Sequence, residues 1–109
     1  MAKYTKLDST FAALADPTRR AIMERLIDGK KSVSDIAKPF DFALPTISRH
    51  ISVLERANLV TREIEGRTHY LSLNASQLKT AVEYLEQYRD FWSDTFNRLD
   101  DFLRSDDEA

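Results

Sequence analysis

The pattern of apolar and polar residues between positions 44 and 57 predicts a short amphipathic helix. Its apolar residues recur at spacings of three and four, so they share one helical face that we expect to be buried. They are Leu44, Ile47, Ile51 and Leu54. The opposite face carries small, polar or cationic side chains and no acid, namely Thr46, Ser48, Arg49 and Ser52. Such a face can approach phosphates and base edges in a major groove, so we call residues 45–57 the reading helix.

Two alternating segments follow the reading helix and predict a β-hairpin. Residues 60–64 and 68–73 alternate in the β manner on either side of Gly66 and Arg67, which form the turn. The hairpin, about residues 60–73, is called the wing below. A reading helix followed by a wing is the element order of a winged helix-turn-helix. The predicted fold class is therefore mostly α with a small β-hairpin.

The segment before the reading helix predicts three more helices. The first contains Tyr4, Leu7, Phe11 and Leu14 at helical spacing. Asp16 then suits an N-cap and Pro17 a first helical position, for a second helix over about residues 17–28. We expect Gly29 to end this helix, whose buried side chains should be Ile22, Met23, Leu26 and Ile27.

A short third helix should follow, capped by Ser32 or Ser34 and ended by Pro39. Residues 40–43 would then form the turn that leads into the reading helix. At its far end, Asn58 is a plausible left-handed C-cap, a position where glycine is more usual.

A long apolar stripe near the C-terminus predicts a helix over about residues 75–104, capped by Asn74 or Ser76. Leu78, Leu85, Tyr88, Trp92, Leu99 and Phe102 lie along this stripe. The helix is too long for a domain this small to cover, so we expect a second copy of the chain to cover it. The predicted homodimer interface consists of these six residues together with Tyr4, Leu7 and Phe11 of the first helix.

Size and composition indicate one domain, residues 1–109. The chain has no cysteine, which excludes disulfides, thiolate metal ligands and thiol switches. No apolar run spans a membrane and no apolar leader is evident, which favours the cytoplasm. The net charge of −2 is unevenly spread, because residues 1–74 hold 12 Lys/Arg against 9 Asp/Glu, whereas residues 75–109 hold 4 against 9. The acid therefore lies away from the proposed reading surface.

Several further side chains are candidates for DNA contact. Arg67 at the predicted wing tip can enter a minor groove, and Arg62, Thr68 and Lys31 lie close to it in the sequence. Each of these also fits an ordinary solvated surface. His50 fits a phosphate contact and a structural histidine at the helix-turn-helix junction equally well. Arg19 and Arg20 open the second helix, and we expect a structural role for at least one of them.

Enzymatic and metal-binding functions have little support. The chain contains no glycine-rich phosphate loop, no pairing of nucleophile and base, and no cluster with metal-ligand spacing. Four acids of the last helix, Glu83, Glu86, Asp90 and Asp94, lie three or four residues apart. Such a row is more often a solvated face than a cation site, so no cofactor is predicted.

The chain resembles the ArsR-type (arsenic-repressor-like) winged-helix repressors from about Phe11 to Leu103. Residues 12–22, AALADPTRRAI, resemble the family's LADPTRR-I segment. Residues 44–60, LPTISRHISVLERANLV, resemble its SRHL-x-VL-x-x-A-G-L-V segment, and Gly66-Arg67 followed by Tyr70-Leu71 resembles its wing. The resemblance implies a homodimer, formed through the first and last helices, that binds a two-fold symmetric DNA operator and represses transcription.

The chain also departs from the family's pattern. Many members sense metals through cysteine pairs in the third helix or Asp/His/Glu sets in the last one, and this chain has no cysteine and no histidine in its last helix. The resemblance is therefore to the metal-independent branch. Two alternatives stay open: a repressor of the same scaffold that responds to a metal, small-molecule or protein effector, and a protein-interaction module that binds no DNA.

Overall fold

The structure is a computed structural model that describes residues 6–108, so Tyr4 lies outside the described residues. The helices are α1 (Lys6–Leu14), α2 (Pro17–Arg25), α3 (Val33–Ala37), α4 (Leu44–Arg56), α5 (Ala75–Glu86) and α6 (Arg89–Glu108). The strands are β1 (Lys31–Ser32), β2 (Val60–Glu65) and β3 (Thr68–Leu73). This mostly helical architecture with a small sheet confirms the predicted fold class.

Helix α2 begins as predicted and ends earlier. Asp16 is its N-cap, with a side-chain oxygen that accepts a hydrogen bond from the Arg19 backbone N–H at 3.1 Å. The helix ends at Arg25, and residues 26–28 form a turn. The expectation that Ile27 is buried was therefore wrong, because its side chain projects from this turn and is 70% exposed.

Helix α4 is the reading helix, and the structure displaces its bounds by one residue at each end. Ile47, Ile51 and Leu54 are fully buried, as their spacing predicts. Leu44 is 56% exposed, which corrects the expectation that it belongs to the core. As the first residue of the helix, it lies beyond the part that packs on the domain. Asn58, the residue after the C-cap Ala57, has φ +59°, which confirms the left-handed conformation expected of it.

The wing is part of a three-stranded antiparallel sheet with strand order β1-β3-β2. Val60 pairs with Leu73 and Glu65 with Thr68, so the hairpin closes over the two residues between them. Gly66 has φ +64°, a conformation that glycine adopts at little cost. Strand β1 was not predicted, because its two residues are too few to form an alternating pattern.

The hydrophobic core joins α1–α4 to the sheet. It is made of buried side chains from these helices, from the segment after α4 and from both strands of the wing. The residues with no exposed surface are Ile22, Ile36, Ile47, Ile51, Leu54, Leu59 and Leu71. Because α4 contributes three of them, the core fixes the orientation of the reading helix and leaves its polar face outward.

The predicted single helix over residues 75–104 is in fact two helices, which is a correction. Asn74 caps α5, and a turn at Gln87 and Tyr88 separates it from α6. The turn is supported by two hydrogen bonds. The Tyr88 backbone N–H donates to the Leu85 carbonyl at 3.0 Å, and the Gln87 side-chain amide donates to the Tyr84 carbonyl at 3.1 Å. Apolar periodicity continues through the turn, so it gave no sign of the break.

Candidate nucleic-acid interface

The outer face of α4 presents polar side chains that are free to bind a ligand. Ser48, Arg49 and Ser52 are exposed, and Thr46 beside them is half-buried. Within residues 6–108, no hydrogen bond or ion pair engages the Arg49 guanidinium. The structure thus brings together the four reading-helix residues that the sequence analysis selected for their outward polar character.

One side of α4 is attached to α2 through His50. Its Nδ1 lies 3.3 Å from Arg19 Nη1 and 3.9 Å from Asp16 Oδ2. Arg19 also donates from Nε to the Ala13 carbonyl at 2.7 Å, so it joins α1, α2 and α4. Arg20 donates to the Leu14 carbonyl at 2.7 Å, and both arginines therefore have the structural role expected for at least one. These contacts give His50 a structural position between α4 and the N-terminus of α2.

The other side of α4 is attached to the wing through Arg62. Its guanidinium donates from Nη2 and Nε to the two Glu55 carboxylate oxygens at 2.8 and 3.1 Å. Its Nη1 lies 2.9 Å from Nδ1 of His69. The hydrogen bond to Glu55 raises the pKa of Arg62, since it favours the charged form. Arg62 stays a candidate DNA contact, although Glu55 and His69 already engage its Nε, Nη1 and Nη2 atoms.

The wing tip keeps a free cation, while the acids near it are paired. Arg67 and Thr68 are exposed, and no partner engages the Arg67 guanidinium among the described residues. Lys30 Nζ lies 3.0 Å from Glu65 and 3.7 Å from Glu63, and 5.0 Å from the centre of the Tyr70 ring. The hydrogen bond that Lys30 donates to Glu65 raises the pKa of Lys30. The carboxylates of the wing are thereby partly neutralised.

Lys31 lies in β1, where it pairs with Leu71, and its side chain is half-buried. It is therefore set back from the wing tip. Ser34 of α3 and His69 of β3 complete this part of the surface, and of the two His69 fits a wing-to-phosphate contact by its place in the second strand of the wing. Ser34 was considered only as a helix cap, but Ser32 caps α3 by accepting from the Asp35 N–H at 3.1 Å. Its hydroxyl is thus left for another role.

The residues expected at a dimer interface fall into two groups. Phe11 packs edge-on against Tyr84 with ring centroids 6.0 Å apart, and Leu78 is partly buried against the core. Leu7 is half-buried as well. The second group is exposed, with between 43% and 63% of each residue's surface accessible. It consists of Leu85, Tyr88, Trp92, Leu99 and Phe102.

Residues 6–108 contain no group of three or more His, Asp or Glu side chains placed to hold a metal ion. None of the helices described combines the length and apolar content needed to cross a bilayer.

Comparisons with known proteins agree with this geometry. A helix-turn-helix domain family matches residues 14–63. The transcriptional repressor SdpR of Bacillus subtilis is 33% identical over 72% of this chain and 88% of its own. The arsenical resistance operon repressor of Staphylococcus aureus is 30% identical over 75% of this chain and 79% of its own. The crystal structure of an ArsR family transcriptional regulator matches with a TM-score of 0.75 and 37% identity, covering 85% of this chain and 97% of that one.

A reading helix on a helix-turn-helix core, followed by a wing, defines a winged helix-turn-helix regulator that binds double-stranded DNA. Together with the relatives, this shows that the chain belongs to the ArsR family of transcriptional regulators. It is a regulator rather than an enzyme, in agreement with the sequence analysis.

Proposed function

We propose that this protein is a homodimeric repressor that binds a two-fold symmetric operator and carries no metal sensor. Each protomer places α4 in a major groove, and the two reading helices meet half-sites about one helical turn apart. The wings lie beside the half-sites. Bound there, the dimer represses transcription by blocking polymerase.

The main support for this proposal is the outer face of α4. His50 attaches one side of the helix to Arg19, and Glu55 attaches the other side to Arg62. The face between these two attachments carries Ser48, Arg49 and Ser52 without an intramolecular partner within the described residues. A rigid helix with an unpaired arginine and two small hydroxyl side chains suits base readout, since a guanidinium can bind guanine through two hydrogen bonds.

The exposed stripe of α6 supports the homodimer. Trp92, Phe96, Leu99 and Phe102 are each more than half exposed in the single chain. They lie at helical spacing on one side of α6, and its acids lie mainly on the other. An apolar face of this kind is stabilised when a second copy covers it, and a two-fold dimer presents its reading helices in the symmetry of a palindromic operator.

The lack of a metal sensor is proposed from the available ligands. One relative's name refers to arsenical resistance, but this chain has no cysteine to supply soft thiolate ligands. The rival is a version of the same scaffold that responds to a cation. A thermal-shift panel of divalent cations tests it, because stabilisation that is lost on Glu86→Ala or Asp90→Ala would favour the cation-responsive protein.

Substitution of Arg49 tests the reading role. We expect Arg49→Ala to weaken binding of its operator by about 1–3 kcal/mol while the dimer stays intact. The measurement is a mobility-shift titration with DNA from around the protein's own gene, at several salt concentrations. A second class of function, a protein-interaction module, would be indicated if the wild-type protein bound no duplex even in dilute buffer.

Arg56→Ala is the matched control for Arg49→Ala. Arg56 is an exposed arginine of the same helix, and its side chain lines a groove with Ser9 and Ala12 of α1, toward the far end of α4. We expect a smaller loss of affinity from this variant. Equal operator binding by Arg49→Ala and the wild-type protein would remove Arg49 from the reading role.

A further inference from the structure

An open groove of about 320 Å³ lies between α3 and the wing. It is lined by Val33, Ser34, Arg62, Arg67, Thr68 and His69. Apart from Val33, these are side chains that can donate hydrogen bonds, and the lining contains no acid. The groove lies next to the wing tip. Arg62, which connects the wing to Glu55 of α4, forms part of its lining.

The partners of Arg62 determine what His69 can donate. The guanidinium of Arg62 has donors only, so its Nη1 at 2.9 Å from His69 Nδ1 requires that Nδ1 accept. In this arrangement the ring carries a proton on Nε2. Glu55 orients the guanidinium by accepting from Nη2 and Nε. Glu55 thus orients Arg62, and Arg62 donates to Nδ1 of His69. The donor that the His69 ring then has left is Nε2–H.

The other donors of the groove are unoccupied. Within residues 6–108, no hydrogen bond engages the hydroxyls of Ser34 and Thr68 or the guanidinium of Arg67. Together with Nε2–H of His69, these groups are hydrogen-bond donors that lack an acceptor. The cation among them is Arg67, which is paired with no carboxylate of the described residues. A phosphate group offers the complementary negative charge and acceptor oxygens.

The charged groups around His69 favour an anion. Arg62 faces it from β2, and Arg67 lies near it at the hairpin turn. The acids of the hairpin, Glu63 and Glu65, lie close to Lys30, at 3.7 and 3.0 Å. On α3, Asp35 is 3.0 Å from Lys38, and the hydrogen bond from Lys38 lowers the pKa of its carboxyl. None of these acids lines the groove.

We propose that this groove is a phosphate site, in which Ser34, Arg67, Thr68 and His69 hold one backbone phosphate of bound DNA. Arg62 is a positioning residue: it fixes the tautomer of His69 and attaches the wing to the reading helix through Glu55. The site rests on the proposed function for its ligand, and it adds a DNA contact that α3 and the wing share.

Two substitutions of His69 separate the phosphate contact from a merely structural role. Glutamine can accept from Arg62 and still donate to a phosphate, whereas leucine can do neither. We expect His69→Leu to weaken binding about tenfold, as the loss of a hydrogen bond to a charged group would, and His69→Gln to bind nearly as well as the wild-type protein. The probe is a duplex enriched by the wild-type protein from a random pool.

Arg67→Ala tests the charge of the site. Loss of one phosphate contact should lower the slope of log K against log salt concentration by about 0.9 for each protomer. Arg104→Ala, which removes an exposed arginine from α6, is the matched control and should leave the slope unchanged. Thermal unfolding of each variant identifies any that lose the fold.

Two measurements on the protein without DNA make failure of the site distinguishable from failure of the proposed function. Long-range ¹⁵N NMR should report His69 with Nδ1 unprotonated and its proton on Nε2. Titration with inorganic phosphate should shift the resonances of Ser34, Thr68 and His69, with smaller shifts in Arg67→Ala. If no duplex binds but these shifts appear, the anion site stands and the DNA-binding proposal fails.

Three results would overturn the phosphate site. One is a proton on Nδ1 of His69. Another is equal duplex affinity for His69→Leu and the wild-type protein, and the third is a loss in His69→Gln as large as that in His69→Leu. In these cases DNA binding through α4 could still hold, and the groove would be an ordinary surface feature.

Discussion

Helices α4 and α6 use the same kind of amphipathic pattern and reach opposite outcomes. In α4, Ile47, Ile51 and Leu54 are completely buried by the chain's own core. In α6, Phe96, Leu99 and Phe102 follow a similar spacing and are 61%, 53% and 63% exposed. Helical periodicity thus says that a face is apolar, but not which molecule covers it. The exposed stripe is the part of the fold that a second chain would complete.

The polar groups of the two regions differ in the same way. Around α4, polar side chains contact one another across elements, as in the bidentate contact of Arg62 with Glu55 and the contact of Arg19 with His50. On α5 and α6, the ion pairs recorded are between neighbours in sequence, such as Arg89 with Glu86 at 3.4 Å. Contacts between distant elements orient a reading surface, whereas pairs between neighbours mainly keep an outer face polar.

The largest effect should come from a charge placed in the exposed stripe. We expect Leu99→Asp to convert the dimer to a monomer and to weaken operator binding about a thousandfold, since two linked half-site contacts become separate ones. A buried unpaired carboxylate at the interface opposes association. Light scattering gives the mass and a mobility shift gives the affinity.

Asn97→Asp is the matched control, because it introduces the same side chain on the opposite face of α6. It should remain a dimer and bind the operator normally. A dimeric Leu99→Asp with full affinity would show that the stripe is not the interface.

Truncation of a buried side chain of α4 tests the other half of the comparison, the face that the chain's own core covers. We expect Leu54→Ala to lower the free energy of unfolding by about 2–5 kcal/mol, since the site is fully buried and leaves a cavity. Urea unfolding at several protein concentrations measures the loss. Leu103→Ala, which removes a side chain that is 52% exposed in the single chain, should destabilise only at concentrations where the dimer forms. A Leu103→Ala effect that did not depend on concentration would contradict a dimeric role for α6.

Asp16 should make the reading region sensitive to acid. The backbone N–H of Arg19 lowers the pKa of its carboxyl by favouring the charged form. Because the folded-state pKa is the lower one, the carboxylate stabilises the fold above its unfolded pKa of about 3.9, and this stabilisation is lost as the pH falls through the folded value. We expect Asp16→Ala to cost about 1 kcal/mol at neutral pH.

Urea unfolding of the wild-type protein, Asp16→Ala and Asp16→Asn between neutral and acidic pH measures this contribution. Asparagine keeps the cap acceptor and removes the titration, so its stability should depend less on pH. The same acid dependence in Asp16→Asn as in the wild-type protein would assign that dependence to other carboxyls.

The smallest effect should come from the residue after the C-cap of the reading helix. Asn58 adopts φ +59°, which asparagine tolerates and glycine adopts more readily. We expect Asn58→Gly to change stability by no more than about 0.5 kcal/mol and Asn58→Ala to cost about 1 kcal/mol. Thermal unfolding measures both. A stabilising Asn58→Ala would show that the left-handed conformation is not required there.

Much of the fold could be predicted from the sequence because its signals are local. The cap at Asp16, the turn at Gly66 and the spacing of Ile47, Ile51 and Leu54 each act within a few residues. The predictions of burial failed at the ends of helices. Ile27 and Leu44 continue an apolar spacing past the last or first packed turn of a helix, where the core no longer reaches them.

The residue types of the candidate site could be predicted from the sequence, but the contacts that each side chain makes could be predicted less well. The polar face of α4 and the cation at the wing tip follow from the pattern itself. The sequence could not show that Glu55 and His69 contact Arg62, because each lies seven positions from Arg62 along the chain, and the hairpin and the turn after α4 decide whether they meet. The same applies to Ser34 and His69, which only the packing of α3 against the wing brings to one groove.

By itself, the sequence determined the helices, the wing and which faces are apolar or polar, because these depend on spacing and on caps within a few residues. Only the tertiary structure decided that residues 75–104 bend into α5 and α6, that Arg62 joins the wing to the reading helix, and that the stripe of α6 stays exposed in one chain. Those outcomes depend on which distant groups come within contact distance, and that depends on the packing of the whole domain.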